Sequence, residues 1–228
     1  MNDTYHDSTQ PGEFDLGHVI ERSRGLISGS KRYGVYLFLT SLAILLGVGL
    51  VSNILFGFDP LSETSGPWWW EVTTGAFTSG IIAMLTVAFG LYRAKGSQLT
   101  YRALFDFLET LWPYLVITFP AALVTLMADN SGNWLFRLAA AALVFPVTFA
   151  PFFMVDRKMG PLDALGHSFS LVLANIGPML LFVLLAIFLT LVSIVTLGFG
   201  FIWTMPFIVI ANAVIYDEAV GIRGEYAL

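Results

Sequence analysis

Residues 176–216, "IGPMLLFVLLAIFLTLVSIVTLGFGFIWTMPFIVIANAVIY", contain no Asp, Glu, Lys, Arg or His. One crossing of a bilayer core uses about 20 residues, so this run is roughly twice the length of a single span. It must reverse. The reversal falls at "LGFGF", residues 197–201, where Gly198 and Gly200 tolerate the positive φ angles of a tight turn. The run therefore reads as two spans, 176–197 and 199–216, and four more apolar blocks precede it at 33–57, 74–92, 111–128 and 136–155.

Composition agrees, with 57% hydrophobic and 12% charged residues, against roughly 45–50% apolar and about 25% charged in a soluble domain. So little charge cannot cover a water-facing surface. The formal net charge of −5 comes with no basic tract, which argues against nucleic acid, whose phosphates are met by clustered Lys and Arg. Without cysteine there is neither a disulfide nor a thiolate site. The first 32 residues lack an apolar run of signal-peptide length, so no cleavable leader is expected.

Six spans put both ends on one side, and basic residues name that side, because Lys and Arg concentrate at cytoplasmic ends. Arg22, Arg24, Lys31, Arg32, Arg93, Lys95, Arg102, Arg157, Lys158 and Arg223 fall with the termini, and Arg137 falls opposite. Both termini are expected in the cytoplasm of a bacterial cell, with the chain multi-pass in the inner membrane. Trp68, Trp69, Trp70 and Trp134 read as interface anchors at the outer boundary, and Tyr33, Tyr92, Tyr101, Tyr114 and Tyr216 lie near the inner one. The outer loop at 59–71 is acidic and ends in the tryptophans.

Three cytoplasmic segments carry apolar stripes at helical spacing: Val19, Ile20, Leu26 and Ile27; Leu104, Phe105 and Leu108; Leu162, Leu165, Phe169, Val172 and Ile176. Polar backs recur at the same period, with Arg102, Asp106 and Glu109 in the second and Asp163, His167 and Ser170 in the third. The expected fold is an all-α membrane protein of six transmembrane helices, arranged as three hairpins, each preceded by an amphipathic interfacial helix. Residues 1–11 read as a polar, disordered tail holding His6, 12–216 as one transmembrane domain, and 217–228 as a short cytoplasmic tail. The first and third units share "DLGH" and "DALGH", a slender basis for an internal repeat.

Side chains for chemistry are few. The spans as drawn contain no Asp, Glu, Lys or His, whereas ion-coupled carriers keep such groups near the midplane. Their Ser and Thr, with Asn53 and Asn212, read first as contacts between helices and second as a substrate site. Pro120, Pro146, Pro151 and Pro206 should each kink a span and leave a carbonyl short of its donor, at Val116, Ala142, Val147 and Ile202. Asp163 and His167 share a helix face, and only Asp15 and His18 could complete a four-ligand metal site with them. No glycine-rich phosphate loop, "GxSxG" elbow or "HExxH" is present. No cofactor is expected.

At 152–187, "FFMVDRKMGPLDALGHSFSLVLANIGPMLLFVLLAI", the chain resembles the YciC-like group of bacterial integral membrane proteins. The matching elements are Asp156, Lys158, Gly160, Ala164, Leu165, Ser168 and Asn175, followed by Gly198, Gly200, Pro206 and Tyr216 in the closing span. The "YRAKG" region resembles the group less specifically, and Pro146 is followed here by Val147 where relatives often carry glycine. The resemblance implies a six-helix inner-membrane protein and supplies no activity or functional residues. From the residues, the first expectation is a non-enzymatic accessory or scaffold protein that organises lipid or a membrane complex. The alternatives are a carrier of a neutral or lipid-like molecule, and an enzyme using Asp163 and His167 with Asp15 and His18. Membrane lipids are the expected partners, with other membrane proteins or a second copy as alternatives.

Overall fold

The computed structural model describes residues 12–27, 31–57, 67–97 and 109–223, with backbone alone at 31–34. The tail with His6, most of the outer loop, Tyr101 and the stripe Leu104, Phe105 and Leu108 with Arg102 and Asp106 lie outside the described residues. Every regular element among the described residues is helical: α1 (Leu16–Ile27), α2 (Lys31–Phe56), α3 (Trp68–Ala94), α4 (Leu111–Asn130), α5 (Trp134–Val144), a 3-10 turn (Phe145–Thr148), α6 (Ala150–Asp156), α7 (Pro161–Ala174), α8 (Ile176–Val195) and α9 (Phe201–Val220).

Six segments are long and apolar enough to cross a bilayer: Val35–Phe56, Trp68–Ala94, Leu111–Asn130, Trp134–Asp156, Ile176–Val195 and Phe201–Val220. Leu46, Leu50 and Ile54 on α2, and Leu180, Leu184 and Phe188 on α8, face outward and are exposed. Such continuous apolar surface on the two outermost spans suits hydrocarbon and not water. The chain is a multi-pass, all-α membrane protein.

The second span starts at Trp68 and not at 74. Pro67 precedes the first helical residue, where a missing N–H costs nothing, and Glu71 in the first turn complements the helix dipole. Thr73 and Thr74 bond back to Trp69 and Trp70 carbonyls and do not interrupt the helix. Spans two, three, four and six are thus longer than expected, spans one and five slightly shorter, and the ends of the longer ones carry Glu71, Arg93, Asp129, Arg137, Asp156, Asp217 and Glu218. Trp68, Trp69 and Trp134 are exposed as anchors should be, but Trp70 is half-buried and donates to Ser52 Oγ at 2.8 Å.

Proline acts differently at its four positions. Span four divides at Pro146 into α5, the 3-10 turn and α6, whereas Pro151 lies in the first turn of α6 and does not interrupt it. Of the carbonyls these two prolines free, that of Val147 accepts from Tyr114 OH at 3.2 Å, and the Pro146 carbonyl beside it accepts from Ser168 Oγ. Pro120 and Pro206 sit inside α4 and α9, which continue past them.

The core lies where α3, α6 and α9 meet, with Met84, Leu91, Phe149, Phe153, Ile210 and Tyr216 fully enclosed. Tyr114 and Tyr216 are buried, so neither is a headgroup anchor. The most extensive packing joins α3 to α4 and α9, across the expected hairpins and not within them. The reversal before α9 falls where the glycines predict, with φ of 55° at Leu197 and 88° at Gly198. A Cβ on Gly200 would stand 2.6 Å from Ser193 Cα, so the returning helix requires glycine there.

The stripe Leu162, Leu165, Phe169, Val172 and Ile176 is buried only in part. Leu162 is 72% exposed and Ile176 53%, while Leu165 and Phe169 are half-buried; the inward residues are Ala164, Ser168, Leu171, Val172 and, just beyond the helix, Asn175. Small Ala164 and Ser168 allow close approach, and the polar atoms of Ser168 and Asn175 find partners inside.

Candidate functional site

At the end of the bundle where the first and last described residues meet, polar residues knit these segments together. Gly12 N donates to Ala219 O at 2.7 Å, and Asn175 accepts from Phe14 N at 3.2 Å while donating to Gly12 O at 3.1 Å. Arg22 bridges Asp217 at 2.6 Å and the Ala94 carbonyl at 3.2 Å, which ties α1 to α9 and α3. Buried Asp156 accepts from Tyr216 OH and from Arg223 N, each at 3.0 Å. Arg157 donates to Val220 O at 2.7 Å at the end of α9, where the helix leaves carbonyls without partners. These contacts hold this end of the bundle closed, although Ser23 Oγ and Arg157 Nε are buried there without a hydrogen-bond partner.

The four polar residues singled out from sequence lie here but act apart. His18 pairs with Glu218 at 2.7 Å, and Asp15 Oδ1 accepts from Gly17 N at 2.8 Å. His167 Nδ1 meets the Asp163 carbonyl at 2.9 Å, and its ring packs 5.7 Å from that of Phe153. Among the described residues no three His, Asp or Glu come together as metal ligands. "DLGH" and "DALGH" occupy unlike surroundings, since α1 packs on α9 and α7 packs on α6.

A cleft of about 670 Å³ lies between α3 and α4 on one side and span four and α9 on the other. Small residues are prominent in its lining. Gly75, Ser79 and Ala83 recur every fourth position on α3, and Thr118, Ala122 and Thr125 lie on α4; the two helices approach closely at Gly75, where a Cβ would stand 3.9 Å from Ala122 Cβ. From Glu71 to Val87 the α3 wall extends roughly 24 Å at about 1.5 Å per residue. Glu71 and Asp129 flank the end away from the termini; Tyr114, Phe152 and Asn212 line the other end.

No protein-family model, curated protein or solved structure matches the chain. The chemistry of the cleft must therefore be read from its own groups. Ser79, Thr86 and Thr125 spend their hydroxyl protons on their own helix, donating to Ala76, Ala83 and Ala121 carbonyls at 3.1, 2.8 and 2.9 Å. What each then presents to the cleft is an oxygen lone pair. Tyr114 likewise spends its proton on Val147 O. Asn212 Oδ1 is buried without a hydrogen-bond partner, an arrangement costly enough to need an explanation. A second groove of about 360 Å³ between spans four, five and six shares Thr148 and Asn212 with the cleft.

Asn212 stands out in the sequence as a polar residue within a span, but the cleft does not. Its signal is the four-residue recurrence of Gly75, Ser79 and Ala83, matched by Thr118 and Ala122. That pattern marks a helix contact as readily as a gap, and only the tertiary arrangement separates the two.

Proposed function

We propose that the protein binds a neutral or lipid-like amphiphile in this cleft as a non-enzymatic carrier or holder in the bacterial inner membrane. The observation that supports this reading is the cleft itself. Its volume falls within the roughly 300–1,000 Å³ of small-molecule sites, and its small-residue walls leave unfilled what a purely structural bundle would pack. Carboxylates at one mouth disfavour anionic head groups by like-charge repulsion. The cleft favours this reading over a scaffold role, which the closed cap and the lipid-facing α2 and α8 would also suit. Membership of the YciC-like group is proposed on the motif at 152–187.

The test is to purify the protein in mild detergent, extract bound molecules and identify them by mass. One neutral amphiphile should accompany wild type in near-stoichiometric amount and be depleted in Ser79→Trp, which fills the cleft. Equal content in both proteins would refute binding there.

Both termini are proposed to face the cytoplasm, supported by the basic residues on that side. The chain has no cysteine, so single thiols report orientation without background. In intact cells, Ser131→Cys between α4 and α5 should react with an impermeant maleimide. Gly166→Cys on α7 should react only after permeabilisation. Reaction of both from outside would overturn the orientation.

A further inference from the structure

We infer that the groove between spans four, five and six holds one acyl chain of a membrane lipid, lying along α8. This site is separate from the cleft and does not rest on the cleft-binding reading. Three observations carry it. First, α8 is tied down near both ends: Met179 and Phe182 are buried at one, and the Ser193 and Thr204 hydroxyls meet at 2.8 Å at the other. Its packing is with α9, α1 and α7 more than with span four, and the groove lies on the side of span four. Second, one face of α8 lines the groove, with Phe182, Ala186 and Thr190 beside Val183, Ile187 and Leu191 at helical period. Phe145 of the 3-10 turn and Ile208 of α9 stand opposite. Third, Ile187 and Leu191 are exposed at the rim, next to Leu184 and Phe188 on the lipid-facing side of the same helix.

That rim decides the occupant. The groove is continuous with the surface that meets hydrocarbon, so acyl chains are the medium that reaches it. Left empty, it would forfeit dispersion contacts along its whole lining. Water is a poor filler, because it needs about 2–4 polar partners. Thr190 donates its hydroxyl proton to Ala186 O at 2.8 Å, and the other polar groups, Thr148 and Asn212, are confined to the wall shared with the cleft. From Phe182 to Leu191 the groove extends roughly 14 Å at about 1.5 Å per residue. That is close to half of a hydrocarbon core about 30 Å thick, the reach of one chain from one leaflet. At about 360 Å³ the groove is too small to admit a helix, which is about 10–12 Å across. Ala186 lies midway along the α8 face, where a bulky side chain would enter the groove.

The experiment uses the full-length protein in vesicles of phosphatidylethanolamine and phosphatidylglycerol. A phosphatidylethanolamine with a diazirine midway along one acyl chain is the photolabel, and adducts are located by residue from fragment masses. In wild type they should appear at Phe145 or Ile208, which line the groove and not the cleft, as well as at Leu184 and Phe188, which meet bulk lipid. In Ala186→Trp the adducts at Phe145 and Ile208 should be lost. Those at Leu184 and Phe188 should remain, showing that the variant is still inserted. Ser79→Trp, in the cleft, should leave both sets unchanged, so the two sites are tested apart. Wild-type adducts confined to Leu184 and Phe188 would overturn the inference, and this result needs no variant. Adducts at Phe145 and Ile208 that survive Ala186→Trp would also overturn it, because the chain would then lie outside the groove. If Phe145 and Ile208 stay unlabelled while Ile187→Cys forms a disulfide-linked dimer, a second copy fills the groove and the inference fails.

Discussion

Gly90→Leu should destabilise the protein by about 3 kcal/mol, the upper part of the range for overpacking a tight interior. A Cβ at Gly90 would stand 2.9 Å from Ala213 Cβ and 3.1 Å from the Val209 carbonyl, so α3 and α9 touch nearly backbone to backbone. Neither obstacle is a flexible side-chain end that could swing away. Relief requires α9 to move, and α9 carries much of the core, including Ile210, Val214 and Tyr216. Thermal unfolding in detergent should show a midpoint lower by roughly 6–12 °C for a chain of this size. Gly166→Leu is the control, because a Cβ there meets nothing within 4 Å, and its midpoint should stay near that of wild type.

Asp156→Ala should cost a similar amount, about 3 kcal/mol, by a different route. Removing the carboxylate leaves Tyr216 OH and Arg223 N without their acceptor, and bonds to a charged partner contribute about 1.5–3 kcal/mol. Tyr216→Phe deletes one of those donors and keeps the carboxylate, so its cost should be about half as large. Because the two residues share one bond, the double variant should be less destabilised than the sum of the singles. Unfolding midpoints of the three variants check this ordering. Additive losses would mean that the 3.0 Å contact contributes little.

Much of the span map is legible because it depends on local quantities, apolar length and the position of breakers. The reversal at 197–201 follows from two glycines inside an overlong apolar run, and span five begins at the residue expected, Ile176. Burial follows partners instead, and partners are distant in sequence. Tyr216 looks like a boundary aromatic until Asp156, 60 residues earlier, supplies its acceptor. Which face of α7 turns inward is set by Ser168, held by the Pro146 carbonyl 22 residues earlier. Pro151 looks like a kink until Tyr114 meets the carbonyl at Val147. The cleft was the least legible part, since space is set by what four spans fail to fill, and no single stretch encodes it.

That cleft is the central claim, and its accessibility to an amphiphile can be measured on the cysteine-free background. Ser79→Cys, facing the cleft, and Leu46→Cys, on the outward face of α2, would each be reacted with a small maleimide, with and without a long-chain alcohol. At about ten times its dissociation constant the alcohol should occupy roughly nine-tenths of the clefts and slow the reaction at Ser79→Cys about tenfold. The reaction at Leu46→Cys should keep its rate. Equal rates at Ser79→Cys with and without the alcohol would contradict the account, and the bundle would then be a membrane scaffold whose interior space holds nothing.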